Sequence, residues 1–586
     1  MDKIKIIKSS CGCKFNSHDG KHAEIDFYNM NLYCPKTWGL IGSGATKGIF
    51  QLESRGMVDV VKRMKPENFS DIIALVALYR PGPMESGMLD QYIKRKLGKS
   101  EVTVQHPALR KILNETYGVF VYQEQVMEAA QVLASYSLGD ADNLRRAMGK
   151  KKADVMEQEK GTFVKGCEQN SIDAQKAGEI FENIETFAGY GFNKSHSAAY
   201  AYLAYQTAYL KTHFTAHFLA SVLTSEQDKT DKLEPHIKDC EVMKVKIIPP
   251  NINSSKDTFL VNKDNCIEYS LAALKNVGRK FVQDLCEERE KGEFKSMMDL
   301  ASRVDLRKGG KRALESMAKA GVFDDFCGRN EAISMILKVL EASDQIHSSK
   351  ETGAVDMFGD VSLVDISGYE IEEFTESELL NKELECFGYY FSQHPLITIR
   401  NCISSRTKSI NKLQVSGQEK FLPVLIHKKR IRQKGSQVSI WLEVSDETGN
   451  LDVSIPRELH DNKKELFKEN SIVMLKGKFS HDDFREDARI RMRATDIMSI
   501  EDSRNHLTTK LCLEIDRANM KKIGNGQFPE LKELESDKGV DVFIRISDEE
   551  LNLSSEFKVD NFKISLEDST FEKLNKLFGE EKYKLY

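Results

Sequence analysis

The segment AGYGFNKSHSAAYAYLAYQTAYLKTHF, residues 188–214, combines residue types that could hold an anion with types that could stack on a base. Gly189 and Gly191 let backbone amides approach a ligand closely. Asn193 to His196 supply hydrogen-bond donors directly before a run of helical periodicity, which suits an anion at a helix N-terminus. The tyrosines that follow could stack on bases, while for two or three of them core packing is the better explanation. The segment predicts a nucleotide-handling site.

A second chemical signal is LRRAMGKKK at 144–152, where five cations fall within nine residues. Arginine offers planar bidentate donors and lysine a mobile point charge, and both suit a polyphosphate. The alternative is a solvated basic face, which such clusters often form. Two weaker stretches accompany it: YRPGPMESG (79–87) places an arginine on a rigid turn, and YGVFVYQEQVM (117–127) places Gln-Glu-Gln after a β-like run.

The chain that must position these residues has the composition of a globular multidomain protein. Its 586 residues predict roughly three to five domains. Net charge is −5, so a nucleic-acid surface has to be local. We find neither an apolar run of ~18 residues nor the apolar core of a signal peptide, and therefore expect no membrane contact. Eleven mostly scattered cysteines indicate thiols in a reducing compartment, so we expect a cytoplasmic protein.

Hydrophobic periodicity divides the chain into a helical part and a β part. Residues 46–240 are predicted to be mainly helical, and 256–330 to form small helices punctuated by glycines. The polar, acidic stretch 344–375 indicates an exposed linker. After residue 415, apolar and polar residues alternate between turns, and about five short strands predict a small barrel such as an OB-fold. We therefore predict a multidomain α+β protein with a mainly helical first part, a small β-barrel and a small α/β tail.

Five stretches, in order and at compatible spacing, resemble the fingers region of the bacterial or phage-borne DNA polymerase III alpha subunit, the C-family replicative polymerases. They are CPKTWGLIGSGATKGIFQLESRGM, ALVALYRPGPMESGM, YGVFVYQEQVM, LRRAMGKKK and AGYGFNKSHSAAYA. In that family the fingers bind the incoming deoxynucleoside triphosphate (dNTP) and the templating base. The resemblance implies these nucleotide-binding candidates: Arg80, Arg145, Arg146, Lys150, Lys194, His196 and Tyr200.

The resemblance also implies an order of segments along the chain. These are a palm-remnant segment 1–45, fingers 46–255, a tandem helix-hairpin-helix region 256–335, a linker with a clamp motif 336–415, an OB-fold 416–502 and a tail domain 503–586. In the hairpin region, glycine turns beside cations could contact duplex phosphates, although two ordinary helical hairpins would look similar. The DNA-binding candidates are Lys151, Lys152, Gly278, Arg279, Lys280, Gly310, Lys311 and Arg312.

Further partners follow from the resemblance. AVDMFGD (354–360) resembles the family's internal sliding-clamp motif, with Met357 and Phe358 as its apolar plug. The family pattern begins with glutamine, whereas Ala354 stands here, which removes a polar anchor. The β segment implies contact with single-stranded template, and the tail loosely resembles the domain that binds the clamp loader. We expect template-primer DNA, a dNTP, a sliding clamp and a clamp-loader subunit as partners.

The family's catalytic carboxylates are not found in the sequence. Two-metal nucleotidyl transfer needs carboxylates that hold Mg²⁺ ions about 4 Å apart. The family takes them from PDxDxDF-type and KFDFLGL-type strands, and neither these strands nor a PHP domain is found here. Asp26 is a weak candidate, because its position before CPKTW better fits the loop after the third carboxylate. An independent nuclease would likewise need a carboxylate or histidine cluster that we do not find.

We therefore expect the C-terminal portion of a split DNA polymerase, inactive alone, with the Mg²⁺ carboxylates on a separate palm-bearing fragment. The alternative is a non-catalytic DNA- and clamp-binding remnant or regulator. A separate feature is the C-x-C-x4-H-x3-H pattern near the N-terminus, which could hold zinc. Since C-x-C is not the usual C-x-x-C knuckle, free thiols are the favoured alternative. The zinc candidates are Cys11, Cys13, His18, His22 and Cys34.

Overall fold

The structure is a computed structural model. It describes residues 5–8, 14–17, 25–150, 153–188, 190–352, 371–415, 418–434, 437–481, 490–515, 533–548, 553–579 and 582–586. The chain divides into two compact units. The first consists of Met1–Met317, Gly321–Phe326 and Leu337–Gly359, and the second of Ala318–Ala320, Cys327–Ile336 and Asp360–Tyr586.

The first unit is mainly helical, as predicted for residues 46–240. Its helices up to residue 242 are Pro35–Ser43, Arg55–Met64, Phe69–Leu78, Pro81–Glu85, Met88–Lys96, Leu109–Leu113, Gln123–Ala134, Leu138–Lys150, Ala153–Gln169, Ala174–Ala188, Lys194–His213, Thr215–Glu226 and Thr230–Val242. An antiparallel pair joins Lys5–Lys8 to Lys14–Ser17. Further along, Ile247–Ile248, Leu260–Val261 and Ile267–Glu268 pair in a small sheet, and the helices Arg279–Arg289, Met297–Arg303 and Gly310–Lys319 follow.

Two apolar clusters stabilise the first unit. One lies between the helices Phe69–Leu78 and Lys194–His213 and buries Tyr205 and Tyr209. Core packing was predicted for two or three of the tyrosines without naming which. The other lies around the helix Gln123–Ala134 and includes Phe163 and Phe181. Both clusters contact the segment that leads into the Lys194–His213 helix, through Phe187 in one cluster and Phe192 in the other. This segment contains the residues predicted to bind a nucleotide.

The stretch predicted as an exposed linker begins with a helix instead. The helix Arg329–Thr352 covers residues 344–352. Ser343 is fully buried, accepts a hydrogen bond from the Leu306 amide (3.0 Å) and donates to the Val304 carbonyl (3.1 Å). These bonds satisfy a serine that otherwise disfavours a buried helix position. Within the polar stretch itself, Arg307 pairs with Asp344 (3.1 Å) and donates to the Ser348 hydroxyl (2.8 Å). The predicted domain boundaries stay predictions.

The second unit contains the predicted barrel. Its described strands close in the order Ile490–Met498, Gly449–Ile455, Gln437–Asp446, Lys420–Lys434 and Ile472–His481. The tail forms a sheet in the order Leu553–Ile564, Glu535–Asp548, Lys510–Ile515 and Tyr583–Leu585, with the helix Asp568–Phe578 contributing Phe571 and Leu574 to its core. Further helices are Glu376–Phe387, Pro395–Thr398, Arg457–Asn462 and Ile500–Leu507. The predicted α+β class is confirmed. None of the helices within the described residues has the length and apolarity that a membrane crossing requires.

A buried histidine gives the first unit a pH-dependent stability. Burial, with Lys47 as a further cause, lowers the pKa of His236 below its usual 6.5. As the pH falls, His236 is protonated in the unfolded chain before it is protonated in the folded chain. The free energy of unfolding should therefore fall as pH drops below about 6.5. His236→Phe should flatten this fall in urea titrations at pH 7.5, 6.5 and 5.5. The exposed His217→Phe is the control; an equal flattening in both would contradict the assignment.

Candidate functional site

The predicted nucleotide site is built on a loop that pairs with a distant segment of the chain. The Gln123 amide donates to the Phe192 carbonyl (2.9 Å), and the Phe192 amide donates to the Val121 carbonyl (3.3 Å). A Cβ on Gly191 would lie 2.9 Å from the Phe187 ring, closer than real Cβ contacts. Glycine is thus required here for close packing, and the pairing fixes where the following helix begins.

The start of that helix is occupied by a carboxylate of the protein itself. Asn193 caps it by accepting from the His196 amide (2.8 Å), and its side-chain amide donates to Glu124 (2.8 Å). The Lys194 amide donates to both Glu124 oxygens (3.1 and 3.0 Å). A carboxylate is stabilised at a helix N-terminus as a phosphate would be. The side-chain cations around the loop are therefore the groups that a ligand would engage first.

These cations are held in exposed ion pairs. The Lys194 ammonium lies 2.6 Å from Glu115, and both side chains are more than a third exposed. Arg145 and Arg146 share Asp142 at 2.9 and 2.8 Å, and Arg146 is 64% exposed. The hydrogen bond from Arg145 is the main cause that lowers the pKa of Asp142. Exposed pairs of this kind contribute little stability, so phosphate oxygens can replace the carboxylates at small cost.

Three aromatic rings follow one another from the loop into the helix, and Phe50 from a distant segment extends the row. Phe192 stacks edge-on against His196 (5.4 Å between ring centroids), His196 lies 4.5 Å from Tyr200, and Tyr200 lies 5.5 Å from Phe50. The Arg80 guanidinium lies 4.3 Å from the Phe192 ring centroid. We call Phe192, His196, Tyr200 and Phe50 the aromatic row. All four rings are exposed or half-buried, so the row can contact flat rings outside the protein.

Arg80 also holds the loop in place. Its Nε donates to the Ala77 carbonyl (2.8 Å) and its Nη2 to the Tyr190 carbonyl (2.7 Å). Burial lowers the pKa of Arg80 from its usual value. The Tyr190 ring packs so closely on Gly82 that a Cβ there would clash. The structure thus shows Arg80 as a residue that positions the loop, while its predicted phosphate contact stays a prediction.

Sequence reasoning missed several residues of this site. Phe192 and Phe50 lie inside motifs that were recognised, but nothing local indicates that Phe50 meets a ring 150 positions away. The carboxylates Glu115, Glu124 and Asp142 were not predicted as partners of the cations. Only the Asp142 pairs, at helical spacings of three and four residues, could have been found from sequence.

Several predicted residues lie at or beyond the limits of what the structure describes. Lys150 ends the helix Leu138–Lys150, but its side chain is outside the described residues. The following residues also lie outside them: Lys151, Lys152, Met357, Phe358, Cys11, Cys13, His18 and His22. Cys34 is described and buried, with its sulfur 3.3 Å from His213 Nε2. The zinc and clamp hypotheses therefore stay predictions.

Asp26 shapes a turn. Its carboxylate accepts from the Tyr28 amide (2.9 Å) and from the Asn29 side chain (2.7 Å), and the latter bond is the main cause that lowers its pKa. Within the described part of the chain, no three histidine, cysteine, aspartate or glutamate side chains are grouped so that they could hold a metal ion. The described residues thus do not fit a Mg²⁺ site.

The predicted DNA-binding glycines lie at two helix starts that pack together. Gly278 precedes the helix Arg279–Arg289, and a Cβ on Gly309 would lie 2.5 Å from the Phe281 ring of that helix. Gly310 has φ +74°, a conformation that favours glycine. The cations beside these turns are exposed: Arg279, Lys280, Lys311 and Arg312. Arg279 pairs with Asp257 at 3.0 Å and Lys311 with Glu315 at 3.6 Å.

On the barrel, the structure places an aromatic ring beside a cation. The Arg491 guanidinium lies 5.2 Å from the Trp441 ring centroid, across the strand Gly449–Ile455 that separates their two strands. Arg430 forms an ion pair with Glu443 of the adjacent strand. A cation beside an exposed or half-buried ring is a combination that suits single-stranded nucleic acid.

Cations around a stacked aromatic row, paired helical hairpins and a small barrel are together typical of a protein that handles nucleotides and nucleic acid. Residues 6–171 match the family model of the bacterial DNA polymerase III alpha subunit finger domain, and residues 244–332 match the helix-hairpin-helix motif. The chain is 40% identical over 508 residues to DNA polymerase III subunit alpha of Haemophilus influenzae. It is 37% identical over 520 residues to that of Pseudomonas aeruginosa and 36% over 519 residues to that of Escherichia coli K12.

These matches confirm the resemblance to the DNA polymerase III alpha subunit. They cover 84–85% of this chain and 44% of each of these relatives, in the C-terminal portion of the relatives. The chain thus spans less than half the length of the curated relatives that it matches.

Lys280 and Arg312 should govern duplex affinity through phosphate contacts. Neither has an ion-pair partner among the described residues, so each is available to a phosphate. Lys280→Ala should weaken duplex binding and lower the slope of log affinity against log salt by about one, because one fewer counterion is released. Fluorescence anisotropy with a labelled duplex at several salt concentrations measures both. Exposed Lys263→Ala, outside the hairpins, is the control; an unchanged slope in Lys280→Ala would contradict the hairpin assignment.

Proposed function

We propose that this chain supplies the fingers, hairpin and barrel portion of a replicative DNA-directed DNA polymerase, which binds the incoming dNTP and the template-primer DNA. The observation that carries the proposal is the aromatic row bordered by the exchangeable cations Lys194, Arg145 and Arg146. A nucleotide presents a flat base and an anionic phosphate chain, and this site offers a complementary surface to each.

Each group has a separate task in this proposal. His196 and Tyr200 contact the nascent base pair, since their rings lie 4.5 Å apart on one face of the helix. Lys194, Arg145 and Arg146 exchange their carboxylate partners for triphosphate oxygens. Arg80 keeps the loop in place. Phosphoryl transfer depends mainly on such positioning and on cations that neutralise developing charge.

The proposal assigns no metal chemistry to this chain. The family's reaction uses Mg²⁺ held by carboxylates, and the described residues do not fit that site. We propose that the carboxylates lie on a separate palm-bearing fragment, so that this chain alone is inactive. In this proposal the assembly works in the cytoplasm. The hairpins hold duplex DNA and the barrel contacts the single-stranded template. The segment at 354–360 binds a sliding clamp, and the tail binds a clamp-loader subunit.

Primer extension tests the proposal. The chain would be assayed with Mg²⁺, dNTPs and a labelled primer-template, first alone and then mixed with a candidate palm-bearing fragment. Activity only in the mixture would support a split polymerase. Activity of the chain alone would show that a metal site was missed, with Asp26 as the first residue to replace.

A second result would favour the alternative function. If no mixture extends a primer while duplex binding by the hairpins is intact, the chain is a non-catalytic DNA- and clamp-binding protein. Binding to an immobilised sliding clamp, compared with a Met357→Ala/Phe358→Ala variant, would then test whether the clamp segment is used.

A further inference from the structure

A cavity of about 460 Å³ lies in the first unit, and Phe187 is one of its lining residues. It opens where the two apolar clusters of the unit meet, and Met88 in its lining packs against both clusters. Its volume falls in the range of small-molecule sites. None of the residues proposed for dNTP or DNA binding lines it.

Arg95 is the one charged side chain in the described lining of this cavity. Its Nη1 donates to the Tyr117 carbonyl (3.2 Å) and its Nη2 to the Thr103 hydroxyl (3.0 Å). Gly118, with φ +77°, makes room for the guanidinium, because a Cβ there would lie 2.9 Å from Arg95 Nη1. These hydrogen bonds hold the guanidinium at the wall of the cavity.

This cation lacks an anionic partner. No carboxylate of the described residues lies within ion-pair distance of Arg95, and its buried Nε has no hydrogen-bond partner among them. That Nε has almost no accessible surface, so an anion in the cavity would meet the outer nitrogens of the guanidinium. An anion in the cavity would satisfy a cation that the chain itself leaves unneutralised.

The remaining walls select for a flat apolar group. The Phe120 and Phe187 rings, with centroids 5.9 Å apart, line one side together with Leu109. Gln105 and Asn183 add amide groups. We propose that this cavity is a binding site for a small aromatic anion, a carboxylate or phosphate monoester attached to a flat ring, with the anion on Arg95 and the ring against the phenylalanines.

Binding of 2-naphthoate to the full chain, measured by equilibrium dialysis, tests the proposal. The neutral 2-naphthalenemethanol lacks the charge, and acetate lacks the ring. We expect one equivalent of 2-naphthoate to bind, with both comparison compounds at least about tenfold weaker, since the site needs charge and ring together. Parallel titration with 2-naphthyl phosphate distinguishes a carboxylate ligand from a phosphate monoester. The compound that binds more tightly carries the anionic group that the site prefers.

Two variants locate the binding. Asn183 is exposed at the cavity, so Asn183→Trp should fill the opening and abolish binding without removing any described hydrogen bond. Glu185→Trp, exposed on the same helix but outside the lining, is the matched control and should bind within about twofold of the parent. Arg95→Gln should weaken binding about tenfold or more. The proposal is overturned if neither naphthyl anion binds, if the alcohol binds as tightly as the acid, or if Asn183→Trp binds like Glu185→Trp.

Discussion

Asp239→Ala is expected to lower the free energy of unfolding of the first unit by about 3–5 kcal/mol, because it leaves a buried charge without its partner. The Lys211 ammonium is fully buried and contacts three oxygens: Asp239 Oδ2 at 2.7 Å and the carbonyls of Ala45 and Lys47, each at 2.9 Å. Burial lowers the pKa of Lys211 from its usual value, while the carboxylate favours the charged form.

This pair also connects the site to the rest of the unit. The carbonyls of Ala45 and Lys47 lie just before Phe50 of the aromatic row, and Lys211 lies near the end of the helix that carries His196 and Tyr200. Loss of Asp239 should therefore loosen one end of the row as well as reduce stability.

Urea unfolding, followed by the fluorescence of Trp38, measures the effect in the correct unit. The chain has two tryptophans, and a Trp441→Phe background removes the signal from the barrel. Glu234→Ala removes an exposed ion pair with Lys238 on the same helix and should cost no more than about 0.5 kcal/mol. The double replacement Lys211→Met/Asp239→Leu should recover part of the loss. A loss below about 1 kcal/mol in Asp239→Ala would show that the lysine is not charged when buried.

The sequence predicted those parts of the fold that depend on local pattern. The helical region and the barrel follow from periodicity, because a helix or strand with one apolar face must bury it. Core packing was predicted for two or three tyrosines, and the structure shows that Tyr205 and Tyr209 are buried. The Gly191 loop was predicted to be functional because glycine and the polar residues Asn193 to His196 are seldom used to fill a core. The helix through residues 344–352 was missed because its polar residues Asp344 and Ser348 contact Arg307, which lies about 40 positions earlier in the chain.

The cations of the candidate site could be predicted from the sequence, but the carboxylates that pair with them could not. Glu115 lies 79 residues from Lys194 and Glu124 lies 70 residues from it, and nothing along the chain indicates that these charges meet. The same holds for Phe50 and Tyr200. Long-range partners are set by the packing of whole helices, which pattern and spacing alone do not specify.

Lys194→Ala is expected to weaken dNTP use roughly 10- to 100-fold in a reconstituted polymerase, because a charge-assisted contact to phosphate contributes about 1.5–3 kcal/mol. Duplex affinity should change little, since the hairpins lie elsewhere in the chain. Arg146→Ala should behave alike, because that side chain is 64% exposed beside Asp142 and available to phosphate. Primer extension at varied dNTP concentration and anisotropy with duplex alone give the two quantities.

Replacing Glu115, the carboxylate partner of Lys194, gives a second test that does not depend on loss of function. Glu115→Gln leaves the lysine in place but removes the charge that now pairs with it, so dNTP use should be retained or improved, opposite to Lys194→Ala. Lys176→Ala removes a lysine that is paired in the same way, with Glu179 at 2.8 Å, away from the aromatic row, and should leave dNTP use unchanged. A general effect of lost ion pairs would lower activity in all three variants. Loss of a dNTP contact should lower dNTP use without lowering duplex affinity. Equal losses of both in Lys194→Ala would therefore mean that the loop binds DNA and not the nucleotide.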